Sequence, residues 1–208
     1  MSELATYVEL GFRHITDLKG ADHILFLLAL AAIYRFRDWR DCVWVATAFT
    51  VGHSLTLGLA VTNVLALPSS LIEFLIPVTI VATGLENLIA RERTKTVGAR
   101  RYRPVLAGVF GLVHGAGFAN YLRSLFVDHI ALPLFGFNVG IELGQLCVLS
   151  LTFVAFTALD ALVEALLAQR RMSGGGVARV SPVRIRAVAV SCIVLVVAAH
   201  WAVERAPW

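Results

Sequence analysis

Gly20-Ala21-Asp22-His23-Ile24-Leu25-Phe26-Leu27-Leu28-Ala29-Leu30 sets an acid and an imidazole directly before seven consecutive apolar residues. The chain has 58% hydrophobic and only 15% charged residues, whereas soluble domains carry about 25% charged residues. The run therefore reads as entering a bilayer. A titratable side chain at that position is expensive in hydrocarbon and must face other protein or a water-filled cavity. Asp22 and His23 need partners elsewhere in the chain.

Working outward, the apolar runs set the organisation. The hydrocarbon is about 30 Å thick, so about 20 apolar residues cross it as a helix. The pattern predicts six transmembrane helices, at 22–36, 42–65, 70–90, 104–126, 133–168 and 187–203. Pro77 is expected to kink the third, and the fifth is long enough to outlast the bilayer. Ahead of them, Tyr7, Leu10, Gly11, His14, Ile15 and Leu18 recur at helical spacing, with Glu9, Arg13 and Asp17 elsewhere on the wheel. Residues 1–20 are thus expected to form a short amphipathic helix at the interface. The first span is short for a crossing, so the preceding segment is expected to dip in, or the helix to start earlier. Arg91 to Arg103 reads as a basic loop, and Arg170 to Arg186, with Ser173-Gly174-Gly175-Gly176, as a flexible linker. Nothing reads as a separate soluble domain. The expectation is one all-α integral membrane domain over 1–208.

Charge orients it. Arg35, Arg37 and Arg40 follow the first span, Arg91, Arg93, Lys95, Arg100, Arg101 and Arg103 the third, and Arg170, Arg171, Arg179, Arg184 and Arg186 the fifth. That is fourteen of the eighteen Lys and Arg residues, all on one side of a six-span chain. The positive-inside rule puts these loops in the cytoplasm and both termini outside, as a multi-pass protein of a bacterial inner membrane. The net charge of +4 follows from this topology and does not call for nucleic acid as a partner. Cys42, Cys147 and Cys192 are scattered and odd in number, which argues against a disulfide framework or a thiolate cage. The start Met1-Ser2-Glu3-Leu4 lacks the pattern of a cleaved signal.

Depth can then be assigned to the polar residues within the spans. His53 and His114 fall near the middle of the second and fourth. Asp22, His23 and Glu73 lie toward the outer side, as do Asn138, Glu142 and Gln145 on the fifth. Glu86 and Asn87 sit deeper, toward the cytoplasmic end. At about 100° per residue, Asn138, Glu142 and Gln145 share a face within about 60°. Gly136, Gly140 and Gly144 form a ridge opposite, suited to close helix packing. Thr50, His53 and Thr56 share a face of the second span, with Ser54 adjacent. Gly111, Gly115 and Gly117 flank His114, so a backbone or ligand can come close. Phe49-x3-His53-Ser54 and Phe110-x3-His114-Gly115 share a pattern that suggests duplication.

Structural readings compete residue by residue. Asp22 could be a helix N-cap, a lone buried histidine could bond a carbonyl, and Glu73 could cap the third span. His14, His129 and His200 read as interfacial, and Glu86 could pair with Arg91 or another basic residue. These readings do not explain two mid-membrane histidines together with acids on three helices at compatible depth. Imidazole with carboxylate suits a divalent first-row ion such as Ni, Co, Zn or Fe.

Taken in order, several motifs resemble the HupE/UreJ family of membrane proteins. They are Gly11-Phe-Arg-His14-Ile15 leading to Asp22-His23-Ile-Leu-Phe-Leu-Leu, and Phe49-Thr50-Val-Gly-His53-Ser54-Leu-Thr56-Leu. Glu73, Glu86-Asn87, Phe110-Gly-Leu-Val-His114-Gly115-Ala-Gly117-Phe118-Ala119 and Phe137-Asn138-Val-Gly140-Ile-Glu142-Leu-Gly144-Gln145 complete the set. The resemblance covers the first five spans. It implies a secondary permease for nickel or a cobalt-type metal, tied to hydrogenase and urease maturation, with His14, Asp22, His23 and His114 metal-related. It is nearest the branch carrying the second-span His-Ser motif. The nickel-permease branch has a shorter His-to-Asp-His interval and a second histidine where this chain has Gly117-Phe118.

The expected function is passage of a divalent transition metal ion from the outer side to the cytoplasm. Asp22 and His23 would form the entrance and His53 and His114 the centre. Glu142 with Glu73 would balance charge, with Asn138 and Gln145 as supporting oxygen ligands and His14, Ser54, Glu86 and Asn87 around them. No nucleotide-binding motif of the form GxxxxGK[ST] is present, so the driving force would be a gradient or a separate subunit. Two other readings stand: an intramembrane zinc hydrolase using the same set with Ser54, and a structural assembly partner. The Gly136, Gly140 and Gly144 ridge would be the contact for a homo-oligomer or accessory subunit.

Overall fold

A computed structural model of the chain describes residues 2–18, 20–65, 67–89, 97–125, 130–172 and 181–208. Among them lie seven α-helices: α1 (Glu3–Thr16), α2 (Asp22–Ala31), α3 (Trp39–Val61), α4 (Ser69–Ile89), α5 (Val97–Leu125), α6 (Ala131–Met172) and α7 (Pro182–Glu204). A 3-10 turn, Phe36–Asp38, leads into α3. Two helix starts carry serine side-chain caps. The Ser2 hydroxyl accepts from the Ala5 N–H, and Ser181 accepts from Arg184 with Pro182 in the first turn. Helices α3, α4, α6 and α7 are long and apolar enough to cross a membrane.

The first expected span, 22–36, is corrected. α2 stops at Ala31 after 10 residues, about 15 Å of helix, which is too short to cross alone. The cause lies across the fold. The Arg186 guanidinium donates to the Ala32 carbonyl (3.3 Å) and the Tyr34 carbonyl (2.6 Å). These oxygens are thereby held in a turn. Arg186 is 2% exposed and also pairs with Asp160. The other bounds shift less. Helix α5 begins at Val97, so residues 97–103 of the expected basic loop are helical, with Pro104 inside the helix. Helix α6 runs to Met172 and α7 starts at Pro182, which shortens the expected linker from both ends. Ser173-Gly174-Gly175-Gly176, Arg91, Arg93, Lys95 and His129 lie outside the described residues.

Helix α1 does not stand apart from the bundle. It packs along α6 over the ridge of Gly136, Gly140 and Gly144. A Cβ on Gly140 would overlap the Val8 carbonyl, and one on Gly11 would overlap the Phe137 carbonyl. The ridge is therefore filled by the chain's own first helix, which corrects its expected role as a contact for a second copy or subunit. Residue numbers rise together along this contact, so α1 and α6 run parallel.

The same contact recurs between α3 and α5. Gly111 meets the Phe49 carbonyl and the His53 amide, as Gly11 meets those of Phe137 and Ile141. Gly52 meets the Gly108 carbonyl and the Leu112 amide, as Gly140 meets those of Val8 and Phe12. Val8, Gly11 and Phe12 thus correspond to Gly108, Gly111 and Leu112. Phe137, Gly140 and Ile141 correspond to Phe49, Gly52 and His53. The repeat is real but differs from the one expected. The helices of His53 and His114 are packing partners, and α5 matches α1 while α3 matches α6.

Directions complete the relation. Helix α3 is antiparallel to α6, through Phe36 with Phe153 and Thr47 with Glu142. Helices α4 and α7 are antiparallel, through Phe74 with Trp208 and Leu88 with Arg184. Exchanging α1 with α5, α3 with α6 and α4 with α7 preserves every one of these pairings and reverses direction. That is an inverted repeat. Helix α2 has no counterpart among the described residues. It runs antiparallel to α7, from Arg205 beside Asp22 to Arg186 beside Tyr34, and hence in the same direction as α1. Together α1 and α2 form one discontinuous helix, interrupted between Thr16 and Asp22.

Candidate metal centre

The break in that helix positions the site. His14 is in the last turn of α1, His23 in the first turn of α2, and His53 in α3, where Gly52 and its partner Gly108 bring the backbones of α3 and α5 together. One ligand atom from each of His14, His23 and His53 can be chosen so that all lie within 4.8 Å of one another. Their ring centroids are separated by 4.5 Å for His14 and His23, 5.8 Å for His14 and His53, and 6.1 Å for His23 and His53. His114, on α5, sets its ring edge-on to His23 at 5.2 Å.

These rings carry buried nitrogens. Nε2 of His14 and His23, both nitrogens of His53 and Nδ1 of His114 have no hydrogen-bond partner among the described residues. Buried polar atoms are nearly always satisfied, and leaving one unpaired is costly. Several lone pairs converging from separate helices fit a cation. Neutral imidazoles with no thiolate or thioether fit a borderline first-row ion.

Two aromatic pairs flank the histidines. Phe118 and Phe137 stack at 5.3 Å with Phe118 at 4.1 Å from His14, and Phe26 and Phe49 stack at 4.7 Å with Phe49 at 5.0 Å from His114. A cavity of about 940 Å³ reaches His14, His23 and His114. It is also lined by Asp17, Asp22, Glu73, Arg13 and Arg205.

Asp22 does not cap its helix through its side chain, since the N-cap is Ala21. Its two carboxylate oxygens accept from Arg205 at 3.2 and 3.3 Å. Glu73 is exposed on the cavity wall. His23 sits within the cluster, not ahead of it, and His14 joins it; its expected interfacial setting is corrected. His114, expected at the centre, and Glu142 both lie outside the group of His14, His23 and His53, and Glu142 accepts from the Thr47 hydroxyl at 3.4 Å. Asn138 Oδ1 and Gln145 Oε1 are buried without a partner among the described residues. Ser54 donates to the Thr50 carbonyl of its own helix at 2.7 Å. Glu86 accepts from Arg103 and Tyr102, so its basic partner is Arg103, and Asn87 donates to the Ala29 carbonyl at 2.7 Å. This pair fastens α4 to α5 and α2 and takes no part in the cluster.

The signal for His14 was available in the sequence. Gly11-Phe-Arg-His14 and Gly111-Leu-Val-His114 repeat a glycine three residues before a histidine, and the two glycines make equivalent helix contacts. Over residues 1–205 the chain matches a family model described as HupE / UreJ protein. The chain belongs to the HupE/UreJ family. No curated protein and no solved structure matches it. HupE/UreJ membership implies a permease or accessory role with nickel- or cobalt-type metal, and the histidine cluster is a chemically apt place for such an ion.

Proposed function

We propose that this HupE/UreJ protein is a secondary permease that takes a divalent transition metal ion from the outer side of the bacterial inner membrane and passes it to the cytoplasm. The observation that carries this reading is the convergence of His14, His23 and His53 within 4.8 Å, with unpaired buried nitrogens, at a cavity lined by Asp17, Asp22 and Glu73. The carboxylates attract the cation, and His14, His23, His53 and His114 hold it. Glu142, Asn138 and Gln145 supply polar lining farther along α6. The C-terminal end of α1 adds partial negative charge beside His14. Asp22 offsets the opposite dipole of the α2 start.

The ion is cargo, so the site must also release it. Phe26 and Phe49 close the cluster on one side and must separate for passage inward. The discontinuous helix α1–α2, with α3 to α7, makes six crossings. Arg103, Arg184 and Arg186 gather at one end of the bundle, the end opposite the cavity. The positive-inside rule assigns that end to the cytoplasm and both termini to the outside.

Reconstituted vesicles test the reading directly. Wild-type protein should load Ni(II) or Co(II) down a gradient, and His53→Ala and His114→Ala should not. Intact uptake in both variants would overturn the proposal.

A further inference from the structure

Helix α4 supplies no histidine, yet it touches the site. The Thr79 hydroxyl lies 2.9 Å from Nε2 of His114 and 2.7 Å from the Ile76 carbonyl. A threonine hydroxyl has one proton. The Ile76 carbonyl can only accept, so that proton goes to it, and the hydroxyl oxygen is left as an acceptor. In that arrangement, one of the two directions the 2.9 Å contact allows, the hydrogen between Thr79 and His114 sits on Nε2 of the histidine. In a neutral imidazole this makes Nδ1 the free lone pair. Nδ1 is the buried His114 nitrogen that has no partner among the described residues. Thr79 itself is buried, and Thr83 donates to its carbonyl at 2.9 Å, so its backbone is held on both sides of the turn.

We infer that Thr79 is a positioning residue: it fixes His114 in the Nε2–H form and thereby presents Nδ1 as a fourth nitrogen ligand beside His14, His23 and His53. The inference rests on the metal-site reading above and deepens it. An outer partner that fixes the tautomer of a ligating histidine is a general device, and losing it lowers metal affinity about 10- to 100-fold. Here the partner is a hydroxyl already committed to its own helix, which leaves the ring one orientation that satisfies both nitrogens once metal is bound.

Two measurements on the full-length protein in detergent decide it. The first needs no metal. Nitrogen-15 chemical shifts of the His114 ring should report the Nε2–H tautomer in wild type and in Thr79→Ser, and a mixture in Thr79→Val. An Nδ1–H tautomer in wild type would overturn the inference. The second uses Co(II), whose visible absorption reports ligand number. Thr79→Val should bind Co(II) about 10- to 100-fold more weakly, with the spectrum of a site that has lost one imidazole, and Thr79→Ser should restore both. Adding His114→Ala to Thr79→Val should bring no loss beyond that of His114→Ala alone. An unchanged affinity and spectrum in Thr79→Val would also overturn it. A wild-type protein that binds no Co(II) would defeat the metal-site reading, and the tautomer would then judge Thr79 by itself.

Discussion

At the scale of residues, the candidate site gathers imidazoles with several buried nitrogens that have no hydrogen-bond partner among the described residues. Both nitrogens of the fully buried His53 are among them. Replacing His53 or His14 with Ala is expected to weaken Co(II) binding by at least about 100-fold, the upper end of what outer-shell losses cost. Chelator competition in detergent measures it; equal affinity for His14→Ala would remove that residue from the site. His23 and His53 were legible in the sequence as intramembrane histidines. His14 carried two opposed signals: the glycine three residues before it and the family resemblance pointed to the site, while Arg13 beside it and Glu9 gave its helix the look of an interfacial one. Thr79 left no signal, since a threonine bonded back to its own helix is common in any apolar span.

At the scale of elements, the helices are arranged by glycine. Gly11 and Gly111 stand against carbonyls of neighbouring helices, with no room for a methyl group. Gly11→Ala and Gly111→Ala should each destabilise the protein by about 1 to 3 kcal/mol, the range for overpacking. The two costs should be similar because the contacts are equivalent. Gly20→Ala, where a Cβ meets nothing within 4 Å, should leave stability unchanged. Thermal unfolding in detergent checks all three, and a silent Gly111→Ala would contradict the packing described. The Asp160 carboxylate is a second element-scale tie, holding the buried Arg186 that ends α2. Asp160→Ala should cost about 3 to 5 kcal/mol, since it strands a buried charge. The glycine spacing on α6 announced a close helix contact. It did not say which helix, because every surface of small residues accepts many partners and only the folded chain brings one of them near.

At the scale of the whole molecule, two three-part repeats run in opposite directions around the histidines, with α2 added to one of them. Reporter fusions are expected to place both termini outside and residue 95 in the cytoplasm; an external residue 95 would reverse the direction of transport proposed here. The motifs taken in order carried the resemblance to the family; composition and period were enough for the all-helical class with apolar, membrane-length helices and for the helix positions to within a few residues in most cases. These follow from hydrophobicity and 3.6-residue periodicity, which are local properties of the chain. The tertiary structure decided what local pattern cannot carry. It broke the first span by bonding the Ala32 and Tyr34 carbonyls to Arg186, far along the chain. It filled the glycine ridge with α1, and so turned His14 inward. It joined Glu142 to Thr47 outside the imidazole group. Depth along a span can be read from sequence, but the direction in which a side chain faces its neighbours depends on which helices pack together. The Asp22-His23 pair shows the difference: one residue binds Arg205, and the next joins the histidines.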